Sequence, residues 1–429
     1  MRQKKQSSKT IRGLVLELRP NDNQKVLLSK HLNGTRFIYN QYVEEYLKAI
    51  KENRLPNYKD YQDLRAEHEF LKGSYSWTLQ QVLCKFVQTN KINRSKRTKG
   101  QKVGLIKFRS KKSHSDYFYI NNIKLSYSSD CKSESYVYLP KIGKVQFRCK
   151  NIKSELLNGK IKSAVVKRTK TGSYTISLCI EIDKVHEDRV DNKHIGLDFS
   201  LRDFFVDSFG AKAPEFSTKR SKMESLQEKI DSLNTTISKM RNKSKKKRKV
   251  SVKLYRLTIK CNKLYEKVHN VQKDYINKLS RDLCKHNELI ILEDLDLHEM
   301  SERTSYKDSK TSTKGGNHGK SVGLLQWNYF LKKLEENAEK FGNIIVYADK
   351  FFPSSQICSK CGEIHSEMKD VTNRTLKCNC GNIIDRDHNS ALNLLKAVEY
   401  YFQNKTLGKE LSEYKAFKCL DFQDQKHLN

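Results

Sequence analysis

The chain has 429 residues, and its 84 Lys and Arg against 49 Asp and Glu give a formal net charge of +35. A chain this cationic attracts polyanions over long distances, and nucleic acid is the commonest polyanion in a cell. Hydrophobic residues make up 37% of the sequence and aromatic residues 10%, which excludes wholesale disorder because packed cores can form. Charge alone leaves open a ribosomal protein, a protein of the membrane surface, and a charge that serves only solubility.

No run of about 18 consecutive apolar residues is present, so the sequence predicts no membrane-spanning helix and no membrane partner. The start, MRQKKQSSKTIRG, is basic but lacks the apolar segment of a signal peptide. We therefore expect an intracellular protein.

The first half of the chain predicts a β domain that carries a helical insertion. Apolar and polar residues alternate in IRGLVLELRP, which predicts a strand over residues 11–20. From Asn21, apolar residues at three- and four-residue spacings predict helices to about residue 95. Beyond the breaks at Gly100 and Gly104, the segments are β-rich and are separated by Gly, Ser and Lys. A β-barrel or sandwich whose first strand precedes the helices is therefore predicted.

A second domain is predicted from about residue 191. HIGLDFSLRDFFVDSFG is typical of a buried strand, a turn and an antiparallel return. Residues 218–285 predict two amphipathic helices in an antiparallel hairpin with a basic tip, KSKKKRKV. The tip resembles a nuclear localisation signal, but as an internal helix–helix loop it is more simply a solvated or phosphate-contacting turn.

The elements that follow alternate between strands and helices. ELIILEDLDL is a continuous apolar run that ends in acids, which is typical of a buried parallel strand. Residues 301–321 are rich in Ser, Lys and Gly and predict a mobile loop. A helix (LLQWNYFLKKLEENAEKF), a strand (NIIVYADKFF) and a helix with Asp387 or Asn389 near its cap come next. The last 25 or so residues show no clear pattern and are expected to be weakly ordered.

Four of the eleven cysteines crowd into 23 residues, as Cys358, Cys361, Cys378 and Cys380. In a reducing compartment such a cluster predicts a metal site rather than disulfides. The pattern is CxxC followed by CxC, so the second pair is one residue shorter than usual, and Gly362 and Gly381 follow the two pairs. Four thiolates leave no open position on a tetrahedral zinc, so the ion is predicted to be structural. His365 lies nearby and is interpreted as a surface residue.

Three acids are candidates for a second kind of metal site. Hydrolysis of a phosphodiester is assisted by two divalent cations about 3.5–4 Å apart, which carboxylate oxygens hold. Asp198 follows HIGL and Glu293 follows LIIL, so both stand where an apolar strand ends. Each acid alone is also typical of a cap or turn residue, and Asp387 alone is typical of a helix N-cap. Only their combination and their order along the chain favour a two-metal site.

Together these motifs resemble TnpB, the protein encoded by many bacterial and archaeal insertion sequences. GLDFSLRDFFVDSFG resembles its first RuvC motif, and ILEDLDLHEM resembles its second. FFPSSQICSKCG and CNCGNIIDRDHNSALNLL resemble its zinc ribbon running into the third motif. Weaker similarity in GTRFIYNQYV, GLIKFRSKK and YLPKIGKV extends the resemblance from about residue 11 to about residue 400.

The resemblance implies an α+β multidomain fold. A wedge β-barrel with an inserted helical recognition block would precede a RuvC-like α/β nuclease domain of RNase H type, which carries the zinc ribbon. The implied bounds are 1–20 and 100–190 for the wedge, 21–99 for the recognition block, 191–352 and 382–403 for the nuclease domain, 353–381 for the ribbon and 404–429 for the tail. Within the nuclease domain, residues 218–285 would form the helical hairpin and residues 301–321 a lid loop over the active site.

The resemblance also implies an activity, RNA-guided cleavage of DNA beside a short target-adjacent motif. Asp198, Glu293 and Asp387 would be the catalytic acids and would hold two Mg²⁺ or Mn²⁺ ions. Asp385 would position the catalytic acids without binding the metal itself, or would cap the helix. Arg386 would contact the scissile phosphate or form a structural ion pair. The implied partners are a guide RNA and double- and single-stranded target DNA, in the nucleoid of a prokaryotic cytoplasm.

Three other functions remain open at this point. A compact type V CRISPR-associated nuclease shares the fold and the active site but takes its guide from a CRISPR array. An RNA-guided DNA-binding regulator would bind without cleaving, which the presence of all three acids disfavours. A true DNA transposase would join strands rather than only break them.

Overall fold

The computed structural model describes residues 9–110, 116–128, 135–148, 152, 154–184, 186–247, 251–294, 323, 325–348, 352–403 and 417–421. The chain divides into two compact units, Met1–Lys184 and Val185–Asn429. The predicted lid loop at 301–321 lies outside the described residues, as do the end of the basic tip at 248–250 and most of the predicted tail. Among the described helices, none combines the length and the apolar composition needed to cross a membrane.

The first unit contains one antiparallel sheet of seven strands, in the order β2-β6-β7-β1-β5-β4-β3. Its strands are β1 (Lys9–Arg19), β2 (Tyr117–Ile120), β3 (Lys124–Ser126), β4 (Tyr136–Leu139), β5 (Gly143–Arg148), β6 (Lys160–Arg168) and β7 (Tyr174–Asp183). The first strand lies in the middle, because Leu14 pairs with Leu178 of β7 and Leu18 pairs with Phe147 of β5. This pairing confirms that the strand before the helices belongs to the later β-rich segment. The described sheet is a half-barrel, and its closure into a wedge barrel stays a prediction.

The helices of this unit are α1 (Asp22–Lys51), α2 (Tyr61–Glu67), α3 (Ser76–Thr98) and α4 (Ser154–Leu157), with a 3-10 turn over Glu69–Gly73. Helix α1 begins at a capping box, in which Asn21 and Gln24 exchange side-chain-to-backbone hydrogen bonds of 2.9 and 3.1 Å. The carboxylate of Asp116 joins this insertion to the sheet. It accepts hydrogen bonds from Arg36 of α1 at 2.8 Å and from Arg168 of β6 at 3.1 Å, and its side chain is 4% exposed.

The second unit is built on a mixed sheet of five strands, in the order β14-β11-β10-β8-β9. Its strands are β8 (Lys193–Ser200), β9 (Phe204–Asp207), β10 (Asn287–Glu293), β11 (Ile344–Ala348) and β14 (Phe417–Asp421), and a separate ribbon pairs β12 (Thr375–Lys377) with β13 (Ile383–Asp385). Strand β10 runs parallel to both β8 and β11, as its apolar sequence predicted. Strand β14, which the sequence pattern did not predict within the tail, pairs antiparallel with β11 as the edge strand.

Both faces of this sheet are covered by helices. They are α5 (Phe216–Lys247), α6 (Val252–His286), α7 (Trp327–Phe341) and α8 (Arg386–Gln403). Successive residues of a strand point to opposite faces, so β10 contributes to two cores. Ile290 and Leu292 pack in the cluster that includes α5, α6 and α7, whereas Leu289 and Ile291 pack with Leu394 of α8. A strand buried on both faces must be apolar throughout, which explains the continuous run in its sequence.

Helix α8 lies directly against strand β8 because Gly196 has no side chain. A Cβ atom on Gly196 would stand 2.3 Å from the carbonyl oxygen of Ala391 and 3.1 Å from the amide nitrogen of Leu395. No real Cβ contact is that short, so any other residue would push the helix off the strand. The glycine in GLDFS thereby fixes the start of α8 beside the strand that carries Asp198.

Candidate active site and metal centre

The three acids named from the sequence come together at one end of the five-stranded sheet. Asp198 lies in β8 and is 9% exposed, and Glu293 is the last residue of β10. The two strands are parallel neighbours with Leu292 opposite Leu197, so Asp198 and Glu293 follow at adjacent positions on the two strands. Asp387 stands in the first turn of α8, and Ser200, the last residue of β8, is among the groups that act to lower its pKa.

Two serines link Asp198 to Glu293. Ser390 Oγ lies 2.9 Å from Asp198 Oδ1 and 2.8 Å from Ser354 Oγ, and Ser354 Oγ donates to Glu293 Oε1 at 2.6 Å. Ser390 and Ser354 are 1% and 3% exposed, so water does not compete for these contacts. Sequence reasoning missed both serines. For Ser390 a signal existed, since a residue three positions after Asp387 on a helix faces the same side.

The hydrogen-bond chain from Asp198 through the two serines to Glu293 has one more contact than the serine hydroxyls have hydrogens. Three oxygen–oxygen contacts join Asp198, Ser390, Ser354 and Glu293, whereas the two hydroxyl groups supply two hydrogens. A protonated carboxyl would supply the third hydrogen, because an ionised carboxylate only accepts. Protonation of either acid would therefore complete the hydrogen-bond chain.

The electrostatics of the site agree with this count. Burial raises the pKa of Asp198 well above its usual value, and the charges of Glu293 and Asp387 raise it further. Burial also raises the pKa of Glu293, against the opposing effects of the Ser354 hydrogen bond and of Arg386. The pKa of Asp387 is raised by burial, although Arg374 lies 3.2 Å from its Oδ1 and opposes the shift. A divalent cation bound by the three carboxyls would stabilise their ionised forms and would thereby oppose these pKa shifts.

Asp385 and Arg386, the two supporting residues, are both engaged locally. Asp385 Oδ1 accepts from the backbone N–H groups of Asp387 at 2.9 Å and His388 at 3.3 Å, which is the hydrogen bonding of a helix N-cap. Arg386 donates to the carbonyl of Asp370 at 2.8 Å and lies 3.4 Å from Ser355 Oγ. Contact of Arg386 with a scissile phosphate stays a prediction.

Replacing Asp198 with Asn is expected to stabilise the protein in buffer that contains zinc but no Mg²⁺ or Mn²⁺. Because the folded pKa of Asp198 is raised above the usual 3.8, the stability due to its protonated form is complete below about pH 3.8. That stability is lost as pH rises through the folded pKa, and Asn does not ionise. The melting temperature of the variant should exceed the wild-type value near pH 8, by about 2–4 °C for each kcal/mol gained.

The comparison is made by thermal unfolding between pH 4 and pH 8. The advantage of Asp198→Asn should shrink towards pH 4, where the wild-type carboxyl is protonated in the folded protein and partly protonated in the unfolded chain. Parallel pH profiles for the two proteins would mean that Asp198 ionises freely in the fold.

The four predicted cysteines meet in the small ribbon between β11 and α8. Their sulfurs lie within 4.8 Å of one another, with Cys358 3.7 Å from Cys380 and Cys361 3.4 Å from Cys378. Gly362 and Gly381 have φ of +82° and +81° and turn each loop back, so that Gly362 N donates to the Cys358 carbonyl at 2.9 Å. These left-handed conformations explain why a glycine follows each pair.

Polar groups around Cys358 favour its thiolate. Burial of Cys358 opposes ionisation, but the Asn382 amide and the backbone N–H groups of Cys361 and Lys360 outweigh it and lower the pKa to about 6. Four soft sulfur ligands in such an environment fit Zn²⁺. By contrast, Asp198, Glu293 and Asp387 do not form a group within 4.8 Å in the part of the chain that the structure describes.

His365 is not the surface residue that its polar neighbours indicated. It is 8% exposed, and its Nδ1 lies 3.0 Å from Glu367 Oε1. The prediction failed because the ribbon is folded around this residue, whose backbone N–H donates to the carbonyl of Gln356 at 2.8 Å.

Three side chains of α8 fasten the ribbon to the helix. Asn389 and Asn393 both donate to the carbonyl of Ile357, at 2.7 and 2.6 Å, and Asn389 accepts from the N–H of Ser359 at 3.0 Å. Lys396 donates to the Ser359 carbonyl at 2.5 Å. The first cysteine loop and the helix that begins beside Asp387 are therefore held as one piece.

Three family models match separate parts of the chain. The helix-turn-helix domain of OrfB_IS605 matches residues 10–54, the OrfB_IS605 "Probable transposase" matches 177–304, and the Cas12f1-like TNB domain matches 327–394. Residues 10–54 here form β1 and the single long helix α1, so the name of the first model does not describe the local structure.

Two curated proteins also match parts of this chain. A protein of Streptomyces pristinaespiralis named "Putative RNA-guided DNA endonuclease" is 27% identical over 135 residues, which is 32% of this chain and 30% of that protein. "Putative transposase R186" of Acanthamoeba polyphaga mimivirus is 27% identical over 155 residues, 35% of this chain and 29% of that protein. The matched segments thus span about a third of these curated relatives.

The fold is shared with a protein of known structure. The Cas12f1 chain of a Cas12f1-sgRNA-target DNA complex aligns with a TM-score of 0.52 over 90% of this chain and 99% of that chain. The sequence identity is 13%, so the similarity is one of fold alone.

Proposed function

We propose that this chain, a member of the TnpB-like family, is an RNA-guided DNA endonuclease that hydrolyses target DNA beside a short target-adjacent motif. One observation carries the proposal: Asp198, Glu293 and Asp387 reach one end of the sheet from two parallel strands and a helix start. The order of strands also supports a RuvC-like domain, because an antiparallel pair, β8 and β9, is extended by the parallel strands β10 and β11.

The site suits two Mg²⁺ or Mn²⁺ ions. Its donors are hard carboxylate oxygens, and the raised pKa values of Asp198 and Glu293 are the cost of burying acids that a cation would neutralise. When bound, such ions stabilise the charge on the attacking and leaving oxygens of a phosphodiester. The three acids would hold them, and a proton bound to Asp198 or Glu293 would be released on loading.

The serines hold the acids in place for this role. Ser390 and Ser354 fix the rotamers of Asp198 and Glu293, and Asp385 fixes the first turn of α8 from which Asp387 projects. Partners behind metal ligands of this kind commonly change activity or metal affinity by about 10–100-fold when removed. The four-cysteine centre has no place for a substrate and would keep one structural Zn²⁺ that holds the ribbon against α8.

The proposed partners follow from the charge. A net charge of +35 spread over the chain suits an RNA–DNA hybrid, which proteins contact largely through its backbone while base pairing reads the sequence. The recognition block and wedge predicted at 21–99 and 100–190 would read the target-adjacent motif. A guide from a CRISPR array, as in compact type V nucleases, is the alternative source of the RNA.

The proposal is tested by cleavage of a plasmid that matches the RNA copurifying with the protein. Sequencing that RNA identifies the guide, and a library of flanking sequences identifies the motif. We expect Mg²⁺-dependent double-strand breaks that Asp198→Ala abolishes, with target binding retained. Binding without breaks in the wild type would identify an RNA-guided regulator, and joined strands would identify a transposase.

A further inference from the structure

The ribbon contains a second set of metal-binding side chains beside the four cysteines. Glu363, His365 and Cys378 offer a carboxylate oxygen, an imidazole nitrogen and a sulfur that all lie within 4.8 Å of one another. Cys378 belongs to both sets, whereas the structural zinc and the nuclease chemistry make no use of Glu363 or His365.

The imidazole of His365 is prepared to bind a cation. Its Nδ1 lies 3.0 Å from Glu367 Oε1, and since a carboxylate only accepts, Nδ1 carries the hydrogen. In the neutral imidazole Nε2 therefore presents a lone pair, and within the described residues this buried atom has no hydrogen-bond partner. Leaving a buried acceptor unpaired is unfavourable. A carboxylate behind one ring nitrogen and a metal in front of the other is the usual arrangement of histidine ligands.

The other two donors face the same point. Glu363 Oε2 lies 3.9 Å from His365 Nε2 and 3.1 Å from Cys378 Sγ. The backbone holds them there, because Cys358 N donates to the Glu363 carbonyl at 2.8 Å and Ile357 pairs with Ile364 in an antiparallel bridge. The backbone positions of Glu363 and of the neighbouring cysteine loop are therefore fixed by the ribbon.

We propose that the ribbon binds a second Zn²⁺ between Glu363, His365 and Cys378, with the Cys378 thiolate shared between the two ions. A thiolate has lone pairs for two cations, and mixed oxygen, nitrogen and sulfur ligands suit zinc. Three protein ligands leave a fourth position to water. The second ion should consequently bind more weakly than the first, which has four thiolates.

The test is the zinc content of the full-length protein, measured by inductively coupled plasma mass spectrometry after equilibration against buffered free Zn²⁺ in excess Mg²⁺, which keeps zinc from the three acids of the sheet. We expect about two ions per chain at saturation and one at low free Zn²⁺, since the two ligand sets differ in strength. His365→Ala and Glu363→Gln should each bind one ion throughout. His286→Gln, which alters an ion-paired histidine of α6, is the matched control and should bind two.

Glu363→Gln keeps the test decisive if His365→Ala fails to fold. The Glu363 side chain is 46% exposed, so this change leaves the packing of the ribbon intact. One ion in the saturated wild type would overturn the proposal. So would two ions in a folded Glu363→Gln variant, because the extra ion would then lie elsewhere.

Discussion

Replacing Glu293 with Ala is expected to reduce target cleavage by about a thousandfold or more while guide RNA and target DNA still bind. The carboxylate is partly buried at the end of β10 and, under the proposed mechanism, supports cations that supply several kcal/mol of transition-state stabilisation. Each 1.36 kcal/mol corresponds to about a tenfold change in rate, which gives this magnitude. The measurements are cleavage rates of a matched plasmid and the dissociation constant of a matched target in a gel-shift assay.

A graded comparison separates chemistry from folding. Ser354→Ala removes the hydroxyl that donates to Glu293 at 2.6 Å, and we expect a smaller loss of about 10–100-fold. Part of that loss should be recovered at high Mg²⁺ concentration, because the acids remain. Glu288→Ala, at the opposite end of the same strand, is the control and should cleave at the wild-type rate. Loss of binding in Glu293→Ala would show that the carboxylate is needed for the fold.

The placement of the three acids at one end of the sheet could be predicted from the sequence, because each acid stands beside a strongly patterned element. Asp198 and Glu293 follow apolar runs, and parallel strands bring such positions to one edge of a sheet. The serines gave no comparable pattern. Ser354 and Ser390 are 36 positions apart in the chain, and their roles arise only where a loop meets a helix. Serine is common in loops and near helix starts, so local sequence does not separate these from the others.

Whether an element of the fold could be predicted also depended on the length and regularity of its sequence pattern. The hairpin of α5 and α6 and the buried strand β10 have long, regular patterns and were predicted, whereas the edge strand β14 has five residues and no clear alternation. His365 was misinterpreted because polarity along the chain says nothing about burial by residues that pack from elsewhere. The need for glycine at position 196 was also not predicted, because it arises from the close approach of α8 and not from the backbone conformation of Gly196 itself.

Replacing Cys358 with Ser is expected to remove the proposed structural zinc and, with it, most of the proposed cleavage activity. Metal binding and folding of such a ribbon are coupled, so loss of one thiolate loosens the loop at residues 357–359. That loop accepts the hydrogen bonds of Asn389 and Asn393, which lie one and two turns into the helix that begins beside Asp387. Activity should fall by about 100-fold, the upper end for residues that support metal ligands.

The route from the ribbon to the active site can be followed by hydrogen exchange. In Cys358→Ser, the backbone amides of α8 near Ser390 should exchange faster, whereas those of β8 and β10 should not, because Asp198 and Glu293 lie on the buried sheet. Cys84→Ser replaces an exposed cysteine of the first unit and should leave zinc content and cleavage unchanged. Full activity in a zinc-free Cys358→Ser protein would show that the sheet and the two serines suffice to hold Asp387. Loss of activity together with faster exchange in α8 would show that the hydrogen bonds between Ile357 and α8 make the zinc centre a structural part of the proposed active site.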